Sequence, residues 1–192
     1  VGVYLGIESA SDKILKNMDK RVTRADFLNG IKYLKKHGII SMGAFVLGFP
    51  GETDETLNEN LSFIEMSGVE FYTFKEFYYM ENTPVHEKRD KFGLTGIGSK
   101  WEHETMAYGD IHPKIIQMFK KIKSSVFIDA DTSLWYIAYL YDQGYSISEI
   151  ISLQKEINSV VCDQIEGKYS DDHPSFNRIQ NLLDAVCDHA AS

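Results

Sequence analysis

Three short apolar runs separated by helix-patterned stretches constrain this chain more than any other feature of its sequence. Val1–Ile7 (VGVYLGI), Ile39–Leu47 (IISMGAFVL) and Val69–Phe74 (VEFYTF) are β-branched and aromatic and read as buried strands. Between the first two, Thr23 with Asp26 three residues on forms a capping arrangement. It opens a helix whose Phe27, Ile31 and Leu34 share one stripe and which stops at Gly38. Between the second and third, Thr53 caps a helix with the stripe Leu57, Leu61 and Ile64, closed by Gly68. Strands joined by helices of this length pair in parallel with right-handed crossovers, and continuously apolar strands have both faces covered. The expected fold class is α/β.

The pattern changes further on. The segment from Lys75 to Asp110 is rich in aromatic and polar residues and reads as irregular, which in a compact protein marks a functional segment or a connector. From Ile111 onward only helical periodicity remains, over PKIIQMFKKIKSSVF, TSLWYIAYLYDQ, EIISLQKEINSVVCDQI and PSFNRIQNLLDAVC. Ser146 with Glu149 forms a capping box, and Pro174 suits the first position of the last helix. The expected division is a βα part over 1–95, a connector over 96–110 and a helical part over 111–192.

A formal charge of −8 from 20 Lys+Arg and 28 Asp+Glu argues against binding nucleic acid or an anionic membrane, because both need a basic face. No apolar run approaches the ~20 residues that span a bilayer. The two cysteines, Cys162 and Cys187, form neither a disulfide framework nor a cysteine-only metal site, so a reducing, cytoplasmic compartment is expected. The sequence opens at Val1 inside an apolar run and reads as a piece of a longer chain. Three strands are also too few for a closed barrel of roughly 250 residues, so an upstream segment or another subunit is expected to cover the first strand's edge.

Two strand ends look alike: Gly6-Ile7-Glu8-Ser9 and Gly48-Phe49-Pro50-Gly51-Glu52-Thr53 both follow an apolar strand with glycine, an acid and a hydroxyl residue. Strand C-termini of a parallel sheet form the mouth where ligands bind. Glycine lets a planar ligand approach the backbone, and a carboxylate can bind hydroxyls or an amine. A purely local reading also stands: Ser9, Ser11 and Thr53 as helix caps, Glu8 and Glu52 as complements to helix dipoles.

The pattern G-I-E-S-x-S-D-x-I-L-x-x-M-x-K-x-x-T from Gly6 to Thr23, followed by G-x-F-V-L-G-F-P-G-E-T from Gly43 to Thr53, resembles the second half of a radical S-adenosylmethionine (SAM) enzyme barrel. N-T-P-V-H-E at Asn82–Glu87 and W-x-H-x-T-M at Trp101–Met106 resemble segments that follow the sixth strand and the barrel in part of that family, the part whose members often carry a cobalamin-binding domain. The resemblance implies strands four to six of a partial βα barrel, followed by an all-α domain. It implies that Glu8 and Ser9 meet the ribose or methionyl part of SAM, and that Phe45, Val46, Leu47 and Gly48 pack on adenine. Glu52 transfers less specifically. It further implies a four-iron cluster whose C-x-x-x-C-x-x-C motif is not in this sequence, so the chain by itself is expected to be inactive. It leaves cobalamin as a possible further cofactor of the parent protein, an oxidoreductase or methyltransferase acting on a small-molecule substrate. The expected partner is an upstream part of the same polypeptide.

Tyr78 and His103 are candidate substrate contacts, each with a packing alternative; Tyr79 and Glu76 stand beside them. His86–Glu87 lacks the spacing of a zinc protease. The competing functional class is a non-catalytic interaction module whose helical tail docks a partner.

Overall fold

The computed structural model describes residues 2–129 and 133–190, without the side chains of 133, 134 and 185–190. Val1 of the expected first strand, Thr132 of an expected helix and the thiol of Cys187 lie outside what is described. Two compact units meet between Ser125 and Val126. That is beyond residue 110, where the sequence pattern changes to helices.

The first unit begins with β1 (Gly2–Glu8), α1 (Asp12–Asn17), α2 (Arg24–Lys36), β2 (Ile40–Leu47), α3 (Asp54–Ser67) and β3 (Phe71–Glu76). The three strands are parallel in the order β1-β2-β3, with Leu5 opposite Gly43 and Phe45 opposite Phe74. Both expected capping arrangements are present: Thr23 with Asp26 at α2, and Thr53 with Thr56 at α3. Gly68 ends α3 in the left-handed conformation that glycine adopts without penalty.

The helices cover one face of the sheet. Phe45 makes edge-on ring contacts with Phe63 of α3 and Phe74 of β3, at 6.2 and 6.1 Å between centroids. Ile7, Ile14, Leu15, Ile31, Phe63 and Ile64 are fully buried, each contributing about 1.5–3 kcal/mol of apolar burial. Gly43 has no room for a side chain, since a Cβ there would stand 2.9 Å from Ile7 Cδ1. Side chains alternate along a strand, so Leu47 shares the face of Phe45, while Ala44 and Val46 take the other.

The stretch read as irregular has local order. It contains α4 (Pro84–Glu87), α5 (Arg89–Phe92) and a hairpin of β4 (Glu102–His103) with β5 (Met106–Ala107). Next is α6 (Tyr108–Lys121), which starts earlier than its apolar periodicity suggests because Asp110 accepts the Ala107 N–H at 3.0 Å. It also stops earlier, where Glu65 of α3 accepts the N–H groups of Lys123 and Ser124.

The second unit holds a short strand β6 (Val126–Phe127), α7 (Ser133–Asp142), α8 (Ile147–Ile165) and α9 (Pro174–Ala190). Val126 and Phe127, read from sequence as the end of a helix, are extended: Asn158 of α8 donates to the Phe127 carbonyl at 3.0 Å. Ser146 and Glu149 form the expected box at α8. The α8–α9 pair is joined by Ser175 Oγ and Arg178 Nε on the Glu156 carboxylate, at 2.6 and 2.8 Å. Among the described residues no helix is long and apolar enough to cross a membrane.

Candidate functional site

The C-terminal ends of β1, β2 and β3 lie side by side, as the parallel register requires. At the end of β1 the register slips between Gly6 and Glu8, leaving an extra residue in the strand. Glu8 then takes φ 63°, a left-handed conformation that costs a non-glycine residue about 1 kcal/mol or more. Lys20 secures this turn by donating to the Gly6 carbonyl at 2.8 Å and to Glu8 Oε1 at 3.2 Å. About a quarter of the Glu8 side chain stays exposed.

Ser9 points the other way. It is fully buried, and its Oγ donates to Asn60 Oδ1 of α3 at 3.3 Å. The Ala10 N–H donates to the same oxygen at 2.5 Å. Asn60 Nδ2 in turn donates to Glu52 Oε1 at 3.3 Å, while Glu52 Oε2 accepts the Gly48 N–H. One buried chain of hydrogen bonds therefore ties the end of β1 to the end of β2 through the middle of α3. Glu52 is wholly removed from solvent, and burial pushes its carboxyl up to about 7 against the hydrogen bonds that favour its charge. This is a connecting role within the protein, and it goes beyond complementing a helix dipole.

Gly48 has φ 87°, and its position has no space for a Cβ, which would meet the Trp101 ring at 2.8 Å. The Gly48 carbonyl accepts from His103 Nε2 at 3.2 Å. That contact fixes the tautomer: a carbonyl only accepts, so Nε2 carries the proton and Nδ1 accepts from Thr105. Burial holds the imidazole below its ordinary pKa, so the ring is neutral at pH 7. It lies parallel to Trp101, with 5.1 Å between centroids and 3° between planes. Trp101 Nε1 donates to the Phe77 carbonyl at 2.7 Å, and the Phe77 N–H donates to the Leu47 carbonyl at 2.7 Å.

Of the sequence-derived candidates, Glu8 and the half-buried Val46 remain at the open strand ends, whereas Gly48 is buried. Phe45 and Leu47 are fully buried under the helix layer, so near a ligand they would present backbone rather than side chain. His103 is buried against Gly48, and Tyr78 is exposed beside Gly98. Tyr79 is buried, with its hydroxyl 2.8 Å from His86 Nδ1, and Glu76 accepts from the Tyr108 hydroxyl. Two residues were missed. Lys20 is the lysine of the Gly6–Thr23 pattern, but nothing in its local sequence showed that it braces Glu8. Asn60 did carry a signal, being a polar residue on the apolar stripe between Leu57 and Ile64.

Residues 1–64 match the family model described as the Radical SAM superfamily. That match covers the N-terminal third of the chain. Among relatives, a Pyrococcus horikoshii protein described as an uncharacterized methyltransferase is 36% identical over 72 residues, which are 38% of this chain and 16% of that protein. A tRNA-2-methylthio-N(6)-dimethylallyladenosine synthase from Ehrlichia ruminantium is 38% identical over 76 residues, 38% of this chain and 17% of the enzyme. The chain thus spans about a sixth of the length of these two relatives. In structure it resembles Elp3 from Methanocaldococcus infernus, with TM-score 0.55 and 17% identity over 67% of this chain and 29% of that one. This likeness supports the partial α/β fold.

Proposed function

We propose that this chain supplies the adenosyl side of the SAM site in a radical SAM iron–sulfur enzyme. The observation that carries the reading is Glu8, held in a left-handed conformation at a bulged strand end and braced by Lys20, within the segment that matches the family. Strain of this kind persists where the surrounding structure maintains it, and it keeps a carboxylate at the mouth of the sheet. That carboxylate would accept the ribose hydroxyls. Adenine would lie against the half-buried Val46 at the end of β2, beside the closed Gly48 turn. Ser9 acts one step back, through Asn60.

The thiolates for a cluster must come from outside these residues. Cys162 is a half-buried residue of α8, and no C-x-x-x-C-x-x-C occurs in the 192 residues. Bound with such a cluster, SAM would supply one-electron radical chemistry, and Glu8 would help hold its adenosyl half. The residues present here bind and orient; the cofactor carries the redox chemistry. The acidic balance supports a small-molecule substrate. Cobalamin in the parent protein remains part of the proposal, read from the resemblance alone, and an absorbance spectrum of the purified protein tests it.

The deciding experiment is an anaerobic SAM titration of the polypeptide that contains both this chain and its cluster-binding segment. Glu8→Gln should raise the dissociation constant about tenfold or more, the size of a charge-assisted hydrogen bond, with iron content unchanged. Unchanged affinity removes Glu8 from the site. A wild type without SAM binding supports the interaction-module reading instead. Competition by tRNA would replace the small-molecule substrate with an RNA.

A further inference from the structure

The helix α7 is aromatic on more of its surface than its packing uses. Leu140 is buried, Tyr136 and Ile137 are half-buried, and these three share one side of the helix. On the opposite side Trp135, Ala138, Tyr139 and Asp142 follow the i, i+3, i+4, i+7 spacing that forms one stripe, and all four are exposed. Trp135 is 84% and Tyr139 63% exposed. Together their rings present on the order of 300 Å² of mainly apolar surface, a size at which an exposed patch often marks a contact site. A lysine or glutamate at either position would leave the packed side of α7 intact, so packing does not account for these two aromatics.

The charge around the stripe is one-sided. Of the chain's 20 Lys+Arg only Lys155, Lys168 and Arg178 fall within residues 126–192, against 11 of its 28 Asp+Glu, so this segment carries the whole formal charge of −8. Lys168 and Arg178 are themselves taken by Glu166 and Glu156. No Lys or Arg occurs between Lys123 and Lys155, a stretch that contains Asp129, Asp131, Asp142 and Glu149.

We propose that the Trp135–Tyr139–Asp142 stripe of α7 docks a basic partner protein through an arginine- or lysine-bearing segment. Cations bind the faces of Trp and Tyr rings, and an Arg fork on such a face can still meet a carboxylate. Asp142, one turn beyond Tyr139, is placed to receive it. Ala138 beside the rings is small enough to leave room for the aliphatic stem of the same side chain. The charge decides between occupants. A second copy meeting this stripe face to face would bring two segments of −8 together, and the phosphates of a nucleic acid would meet the same repulsion. A basic segment is drawn in. This surface belongs to the second unit alone and works independently of SAM binding.

The test uses the whole chain and a fluorescein-labelled peptide of roughly four helical turns, with Arg and Leu at three- and four-residue spacing. Its counterpart carries Glu in place of every Arg. By anisotropy the Arg peptide should bind about tenfold or more tightly than the Glu peptide, and its affinity should fall as salt is raised. Trp135→Ala combined with Tyr139→Ala should weaken it about tenfold or more, and Asp142→Asn about threefold, with the circular dichroism unchanged. If the double variant does not fold, acrylamide quenching of the wild type decides. Trp101 is buried, so the Arg peptide should shield the exposed Trp135 and reduce the quenching. Unchanged quenching, equal affinity for the two peptides, or unchanged affinity in the double variant overturns the proposal. So does a dimer in analytical ultracentrifugation that the double variant dissolves, which gives the stripe to a second copy. Tighter binding of an oligouridylate than of the Arg peptide overturns it as well, and gives the stripe to RNA.

Discussion

Replacing Glu52 by glutamine isolates the buried carboxyl that joins the two strand ends. In the folded protein this group titrates near 7 against an ordinary 4.5. A displacement of that size is worth about 3 kcal/mol. The folded state holds its proton more tightly than the unfolded chain, so the contribution is fully present below pH 4.5 and is lost as pH rises to 7. His103 runs the other way. Its folded pKa is depressed, so its contribution is present above 6.5 and is lost as pH falls below that value. Subtracting the Glu52→Gln curve from the wild-type curve cancels the histidine. Urea unfolding at pH 4.5, 5.5, 6.5 and 7.5 supplies both curves, followed by tryptophan emission. Trp101 is buried in the first unit and Trp135 is 84% exposed in the second, so the wavelength shift reports the first unit. The amide accepts only one of the two donors facing it, which lowers stability by a constant amount. The diagnostic quantity is the further change of about 3 kcal/mol between pH 4.5 and 7.5. Parallel curves would refute the argument.

Three other perturbations follow from the same geometry. Gly48→Ala should destabilise the first unit by about 3 kcal/mol, combining a left-handed alanine with a Cβ placed 2.8 Å from the Trp101 ring, and calorimetry reads the loss. Asn60→Ala should cost about 3 kcal/mol in urea unfolding, because Ser9 Oγ, the Ala10 N–H and Glu52 Oε1 lose a shared buried partner. Thr73→Val should raise stability by about 1 kcal/mol. Among the described residues the buried Thr73 hydroxyl has no hydrogen-bond partner, and an unchanged or lower melting temperature would show that it has a partner in solution.

The scaffold was legible in sequence because its signals are local. Thr23 with Asp26, Ser146 with Glu149, and Gly68 act within one helical turn, and each does what its spacing suggests. The third strand shows the limit: it runs from Phe71 to Glu76, two residues beyond the apolar run read from Val69, because Glu70 is drawn to the backbone and hydroxyl of Ser41. The site was half legible. The paired motifs pointed to the ends of β1 and β2, but which residues there face the mouth depends on strand parity against a helix layer, and parity turns Phe45 and Leu47 inward. Ser9 and Glu52 read as ligands or caps until Asn60, some 50 residues from Ser9, is seen to claim one and steady the other. No window of local sequence contains that contact.

The same separation has a consequence for how the protein assembles. The capped helices can begin to form within their own stretches of chain, but the bonds that finish the mouth join residues 51 positions apart for Ser9 and Asn60, and 55 apart for Gly48 and His103. Closing such loops costs entropy before any contact compensates. The strand-end mouth is therefore expected to be the last part to acquire its native order, after the sheet and its helices have docked. On a growing polypeptide, α3 must leave the ribosome before Ser9 finds its partner, and the Trp101 hairpin must follow before the Gly48 peptide is fixed.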